Sequence, residues 1–201
     1  MTTATPVDDI TAVILAGGKA RRMDGEDKGL ITLHGRNMVE YILTALQPQA
    51  GNILINANRN HEQYGAYGLP VVADMLGDYF GPLAGMATGM HTTDKPYIVT
   101  VPCDSPFIPA TLVETLYHSL DSDQADISVA HDGSRIQPVF ALIRCELLPS
   151  LLSYLDEGGR KIDTWYNQHR LALADFSGSR DTFLNLNTPA DRLALENRIA
   201  G

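Results

Sequence analysis

Short apolar runs punctuate the first half of the chain: Ala12-Val13-Ile14-Leu15, Ile53-Leu54-Ile55, Pro70-Val71-Val72-Ala73 and Tyr97-Ile98-Val99-Thr100-Val101. They are rich in β-branched residues and nearly free of polar interruption, the pattern of parallel strands buried on both faces. Between them Val39, Ile42, Leu43 and Leu46 recur at the i, i+3, i+4, i+7 spacing of an amphipathic helix, and Leu112, Val113, Leu116 and Leu120 approximate it. These segments predict crossover helices. Further on, Ile127-Ser128-Val129-Ala130 and Val139-Phe140-Ala141-Leu142-Ile143 flank Asp132-Gly133-Ser134, a turn signal that predicts an antiparallel hairpin.

The remainder predicts helices near 146–155 and 163–169, strands near 171–174 and 183–186, and a last helix after Pro189. The expected fold class is therefore α/β: a three-layer αβα, Rossmann-like arrangement around a mostly parallel, mixed central sheet. With no repeat or linker in sight, residues 1–201 are expected to form a single domain, with residues 1–10 as a flexible N-terminal extension. A chain of 201 residues can bury about 70% of the surface its unfolded form exposes, enough for one such core.

Composition narrows function by exclusion. At 44% hydrophobic and 19% charged, the chain has the make-up of an ordinary globular protein rather than a disordered or fibrous one. The net charge of −9 argues against nucleic acid as a partner, because neutralising phosphates over a broad face requires a basic surface. The first ten residues lack the basic start and apolar run of a secretory signal, and no apolar stretch approaches the roughly 18 residues of a membrane span. A cytoplasmic location with no membrane partner is expected. Cys103 and Cys145 have neither metal-ligand spacing nor a second pair, and no two histidines stand at the i, i+4 spacing of a helical metal site.

Against the acidic background one basic cluster stands out. Lys19, Arg21, Arg22 and Lys28 fall in Leu15-Ala16-Gly17-Gly18-Lys19-Ala20-Arg21-Arg22-Met23-Asp24-Gly25-Glu26-Asp27-Lys28, directly after the first apolar run. Gly17 and Gly18 allow a sharp turn that brings backbone N–H groups to phosphate oxygens, and Arg22 and Lys28 add charge. The loop matches neither G-x-x-x-x-G-K-[ST] nor G-x-G-x-x-G, so another nucleotide-binding class is required. A glycine turn with solvated basic residues is the competing reading of this loop alone.

Other candidates follow at later strand ends. Asp104 sits between Pro102 and Pro106, which stop regular structure and present its carboxylate on stiff backbone; a turn or capping role is the alternative. Gly81-Pro82-Leu83-Ala84-Gly85 reads as a helix start with N–H groups free for a ligand. Asn185 and Asn187 precede Thr188-Pro189, where their amides could reach a second substrate or metal-bound water; capping is the alternative, and Thr188 suits it better.

Taken in order, Leu15-Ala16-Gly17-Gly18-x-x-x-Arg22-Met23 with Asp27-Lys28, Asn56-Ala57-Asn58-Arg59, Asp74, Gly81 to Gly85, Pro102-Cys103-Asp104 and Asn185-Leu186-Asn187-Thr188-Pro189 resemble the GT-A type nucleotidyltransferases. Within that superfamily the chain resembles the molybdenum cofactor guanylyltransferases over nearly its whole length. Asp24 departs from the glycine common there.

The resemblance implies transfer of GMP from GTP to the terminal phosphate of molybdopterin or Mo-molybdopterin, with release of pyrophosphate. It assigns catalysis to Arg22, Lys28 and Asp104, and Mg²⁺ to Asp104. Nucleotide binding falls to Leu15, Ala16, Gly17, Gly18, Lys28, Asn56, Asp74, Gly81, Pro82, Leu83, Ala84, Gly85 and Asp104. Asn185 and Asn187 would contact the second substrate or metal-bound water. Gln137 and Pro138 lie where the family approaches its pterin. Other cofactor-assembly proteins and apo-molybdoenzymes are the protein partners it suggests. Transfer from CTP, transfer to a sugar or isoprenoid phosphate, and a non-enzymatic cofactor carrier are the rival functions.

Overall fold

The structure is a computed structural model that describes residues 5–17, 27–77 and 81–200. In chain order the elements are β1 (Ile10–Leu15), β2 (Thr32–Leu33), β3 (Arg36–Asn37), α1 (Met38–Leu46), β4 (Asn52–Asn56), α2 (His61–Gly65), β5 (Val71–Val72), α3 (Pro82–Thr92) and β6 (Tyr97–Pro102). Then come α4 (Leu112–Ser122), β7 (Ile127–His131), β8 (Ile136–Arg144), α5 (Leu148–Asp156), α6 (Ile162–Tyr166), β9 (Leu171–Asp175) and α7 (Pro189–Ala200).

Seven strands form one sheet in the order β5-β4-β1-β6-β8-β7-β9. β8 runs antiparallel to both β6 and β7, and the other pairings are parallel. The mixed sheet and the hairpin around Asp132-Gly133-Ser134 are as expected, with a register shift between Val129 and Ala130.

Alternation along β1 produces the layers. Ala12 and Ile14 pack with Val39, Ile42 and Leu46 of α1 and with Leu112 and Leu116 of α4. Val13, on the opposite face, packs with Leu83, Met86 and Met90 of α3 and with Trp165 of α6. Each fully buried Val, Leu, Ile or Met side chain among them contributes about 1.5–3 kcal/mol through loss of apolar surface. Gly89 permits the close approach of α3, since a Cβ there would lie 2.7 Å from Val13 Cγ2.

One expectation is corrected. Residues 183–186 add no strand: Ser177–Phe183 is 3-10 in character, and the following stretch leaves the sheet to pin a loop. Leu186 N donates to Asp104 O at 3.0 Å, and its side chain is buried with Ile31, Leu33, Met38 and Leu195. Of the segment 1–10, expected to extend from the fold, residues 7–10 lie against it. Gly51 N donates to Val7 O at 2.8 Å, and Ile10 is wholly buried as the first residue of β1. Among the described residues no helix is long and apolar enough to cross a membrane.

Candidate active site

Three strand ends organise the site. Leu15, the last residue of β1, pairs with Asn56 of β4 on one side and Pro102 of β6 on the other. Ala16 N donates to Asn56 O at 2.8 Å and Cys103 N to Leu15 O at 3.2 Å, so the three chains remain joined one residue past the sheet. Beyond that line they diverge, as they do at the ligand crevice of doubly wound folds.

On the β4 side the polar groups converge on Asp74. Asn56 is buried and donates through Nδ2 to Asp74 Oδ1 at 2.9 Å and Val72 O at 3.3 Å. Asn58 donates through Nδ2 to Asp74 Oδ2 at 2.8 Å, and its Oδ1 accepts from Asp74 N at 2.8 Å. Gly17 stands over this group, for a Cβ there would lie 3.2 Å from Asn58 Nδ2 and 3.7 Å from Asp74 Oδ2.

The start of α3 closes on the same place. A Cβ at Gly85 would collide with Asn56 Oδ1 and lie 2.5 Å from Leu15 Cδ2. Gly81 has φ 64° and ψ −155°, a conformation open essentially only to glycine, and it leads into Pro82 at the first turn. The two glycines of Gly81-Pro82-Leu83-Ala84-Gly85 thus have separate duties, one in backbone path and the other in close approach. Thr88 Oγ1 accepts from Met75 N at 3.0 Å, tying the segment after Asp74 to the same helix.

On the β6 side the convergence is on Lys28. Its Nζ donates to Asp104 Oδ2 at 2.8 Å and to Asn187 Oδ1 at 2.6 Å. Lys28 owes its placement to the residue before it. Asp27, only 7% exposed, caps the short 3-10 helix Lys28–Leu30 by accepting from Gly29 N at 3.3 Å. It also accepts from Tyr64 Oη at 2.6 Å and Asn60 Nδ2 at 3.0 Å, and pairs with Arg59 Nε at 3.5 Å.

Asn185 Oδ1 accepts from the buried Ser105 hydroxyl. Thr188 is the cap of α7, its Oγ1 accepting from Asp191 N at 3.2 Å while the Asp191 carboxylate accepts from Asn187 N at 3.0 Å and Thr188 N at 2.8 Å. Asn187 keeps its side chain for Lys28.

The two sequence positions near the hairpin are otherwise engaged. Gln137 Nε2 donates to Asp132 Oδ2 at 2.6 Å, and Pro138 O accepts from Tyr166 Oη at 2.7 Å. Asp132 also accepts from Ser134 Oγ at 2.7 Å and the N–H groups of Ser134 and Arg135, which hold its carboxyl well below the usual range. Cys103, beside Asp104, is buried, and burial followed by the Asp104 charge pushes its thiol well above its ordinary pKa. It is a packing residue rather than a nucleophile.

The structure therefore brings Leu15, Ala16, Gly17, Asn56, Asp74 and the 81–85 turn to one half of the crevice, and Lys28, Asp104, Asn185 and Asn187 to the other. Gly18, Arg22 and Asp24 lie outside the described residues. Asn58, Asp27 and Tyr64 had no assigned role in the sequence reading; Asn58 and Asp27 stood inside its motifs, and the reach of their side chains had no periodic signal.

Residues 12–171 match the MobA-like NTP transferase domain. A molybdenum cofactor guanylyltransferase from Shewanella sediminis is 48% identical over 191 residues, covering 95% of this chain and 97% of that protein. The molybdenum cofactor guanylyltransferase of Shewanella halifaxensis is 46% identical over 191 residues, covering 95% and 96%. The crystal structure of molybdopterin-guanine dinucleotide biosynthesis protein A from Archaeoglobus fulgidus shares the fold, with a TM-score of 0.80 at 20% identity over 94% of this chain and 98% of that one.

Proposed function

The chain belongs to the molybdenum cofactor guanylyltransferases, within the MobA-like NTP transferases, and from that membership we propose how its own residues move a guanylyl group. An oxygen of the terminal phosphate of molybdopterin, with or without bound molybdenum, attacks the α-phosphorus of GTP. The bond to the bridging oxygen of the β-phosphate breaks, and pyrophosphate leaves.

The protein offers no nucleophile of its own to this reaction; it positions two anions and offsets their charge. The backbone of Leu15, Ala16, Gly17 and Gly18 receives the phosphates, with Arg22 and Lys28 as the neutralising cations. Asp74 accepts the N1–H and 2-amino N–H of guanine, Asn56 holds it, and the 81–85 turn walls the base. Asn185 and Asn187 face the second substrate. The observation that carries the reading is the meeting of Lys28, Asp104 and Asn187 within 2.8 Å contacts beyond the end of β6, in a chain 48% identical to a guanylyltransferase over 95% of its length.

Asp104 suits Mg²⁺. Among the described residues its Oδ1 takes no hydrogen bond, and no cluster of three or more His, Cys, Asp or Glu side chains offers an all-protein cage. Mg²⁺ characteristically takes one or two carboxylates and completes its shell with water and substrate phosphate. When bound, the ion supplies charge neutralisation for the departing pyrophosphate.

The reaction is placed in the cytoplasm, with the product passed to other cofactor-assembly proteins or apo-molybdoenzymes. Incubation with each nucleoside triphosphate, Mg²⁺ and molybdopterin, followed by product mass, tests the assignment. A guanylyl adduct with stoichiometric pyrophosphate is expected. A cytidylyl adduct, or binding without pyrophosphate, would overturn it.

A further inference from the structure

Asn58 has no part in the reaction as set out above, yet both ends of its amide are committed to one residue. Nδ2 donates to Asp74 Oδ2 at 2.8 Å, and Oδ1 accepts from Asp74 N at 2.8 Å. The two bonds form a closed ring that locks the carboxylate to its own backbone. Asn56 Nδ2 engages the other oxygen at 2.9 Å. Among the described residues each oxygen thus holds one amide donor, and a carboxylate oxygen accepts two.

The two asparagines differ in what else they support. Asn56 is buried at a strand end and also bonds Val72 O. Asn58 is exposed and, among the described residues, both its hydrogen bonds go to Asp74, so the hydrophobic core does not rest on it. Torsion about the last bond of an aspartate is broad, so a carboxylate held from one side only can rotate. Holding it from both sides directs its two remaining acceptor positions.

We propose that Asn58 is a positioning residue for base selection: it fixes the Asp74 carboxylate in the orientation that reads the 2-amino group of the purine. The inference rests on the guanine-binding role proposed for Asp74. A site built to pair with a donor discriminates strongly against a ligand that lacks it, and loses that discrimination when the acceptor is free to turn away.

The test compares GTP with inosine triphosphate, which lacks only the 2-amino group, as donors to molybdopterin in Asn58→Ala, Asn58→Gln and the unaltered protein. Asn58→Ala is expected to lower the GTP-to-inosine-triphosphate ratio of kcat/KM about tenfold. The change comes through a higher KM for GTP, with kcat and the melting temperature nearly unchanged, and Asn58→Gln recovers part of the ratio. A ratio unchanged in Asn58→Ala, or an equal loss with both nucleotides, overturns the inference while leaving the guanylyl reading intact. An unaltered protein that uses CTP in place of GTP overturns the guanylyl reading and this inference with it.

Discussion

The ammonium of Lys28 lies 2.8 Å from Asp104 Oδ2, a contact that joins the 3-10 turn Lys28–Leu30 to the turn beyond β6. Both side chains remain partly open to solvent, at 23% and 16% exposure, so the pair is not a buried structural tie and is accessible to the substrate phosphate proposed above. A partly solvated pair of this kind is worth about 0–1 kcal/mol to folding.

Lys28→Ala and Asp104→Ala are therefore expected to fold with nearly unchanged melting temperatures while pyrophosphate release falls roughly 10²- to 10³-fold, the scale seen when one electrostatic support of a transition state is removed. Wild-type turnover in both variants would remove these residues from the mechanism.

Gly85→Ala places a methyl group against Asn56 Oδ1 and Leu15 Cδ2. To accept it, α3 must withdraw or Asn56 must release Asp74. The expected result is a KM for GTP raised about tenfold, with a smaller effect on kcat, because displacing the proposed base wall and base acceptor weakens binding first. Titration of the variant with GTP reads this directly, and an unchanged affinity would show that the crevice tolerates a wider α3.

Tyr64→Phe removes a hydrogen bond to the buried Asp27 carboxylate, and with it one restraint on the residue that caps the turn carrying Lys28. A loss of about 1–3 kcal/mol is expected in urea unfolding, the cost of weakening the satisfaction of a buried carboxylate. Turnover at saturating GTP should fall as well, since Lys28 is the next residue. Loss of stability with full turnover would separate Asp27 from the placement of Lys28.

Stability should decline in alkali. Burial raises the pKa of Tyr64, Tyr166 and Cys103, and pushes the Cys145 thiol up to about 12. These groups keep their protons in the folded state after the unfolded chain has released them. Their contribution is complete below the unfolded values of about 8.5 for cysteine and 10 for tyrosine, and is lost as pH rises toward the folded values. Urea midpoints should hold level from pH 7 to 8 and fall from about pH 8.5 upward. A midpoint rising across that window would contradict the burial of these groups.

The parts of the fold legible in the sequence were those with a repeating signal. The run 12–15 and the spacing of Val39, Ile42, Leu43 and Leu46 report burial on their own, because a strand or helix face must be continuous to bury anything. The β2–β3 hairpin escaped because each strand has only two residues. Its one local mark is His34-Gly35, both at positive φ, 46° and 79°, as a two-residue hairpin turn requires.

Residues 183–186 misled for the opposite reason. Alternating apolar side chains look the same whether they enter a sheet or, like Leu186, fill a small cluster under a loop. In the site, glycines and the order of motifs were readable, whereas Asp27 in sequence is one more acid beside basic residues. Its burial depends on Tyr64, which arrives from α2 and has no local signature.

The bond from Leu186 N to Asp104 O also orders events in time. All seven strands of the main sheet are in hand once β9 has been made, and the group around Asp74 draws only on residues made before it. Lys28 gains its bond to Asn187, and Asp104 its bond from Leu186, only after that. During synthesis from the amino end the growing chain can thus complete the half proposed to bind the base before the half proposed to carry out transfer, and on that proposal a nascent chain halted between Asp175 and Asn187 would hold nucleotide before it could transfer it.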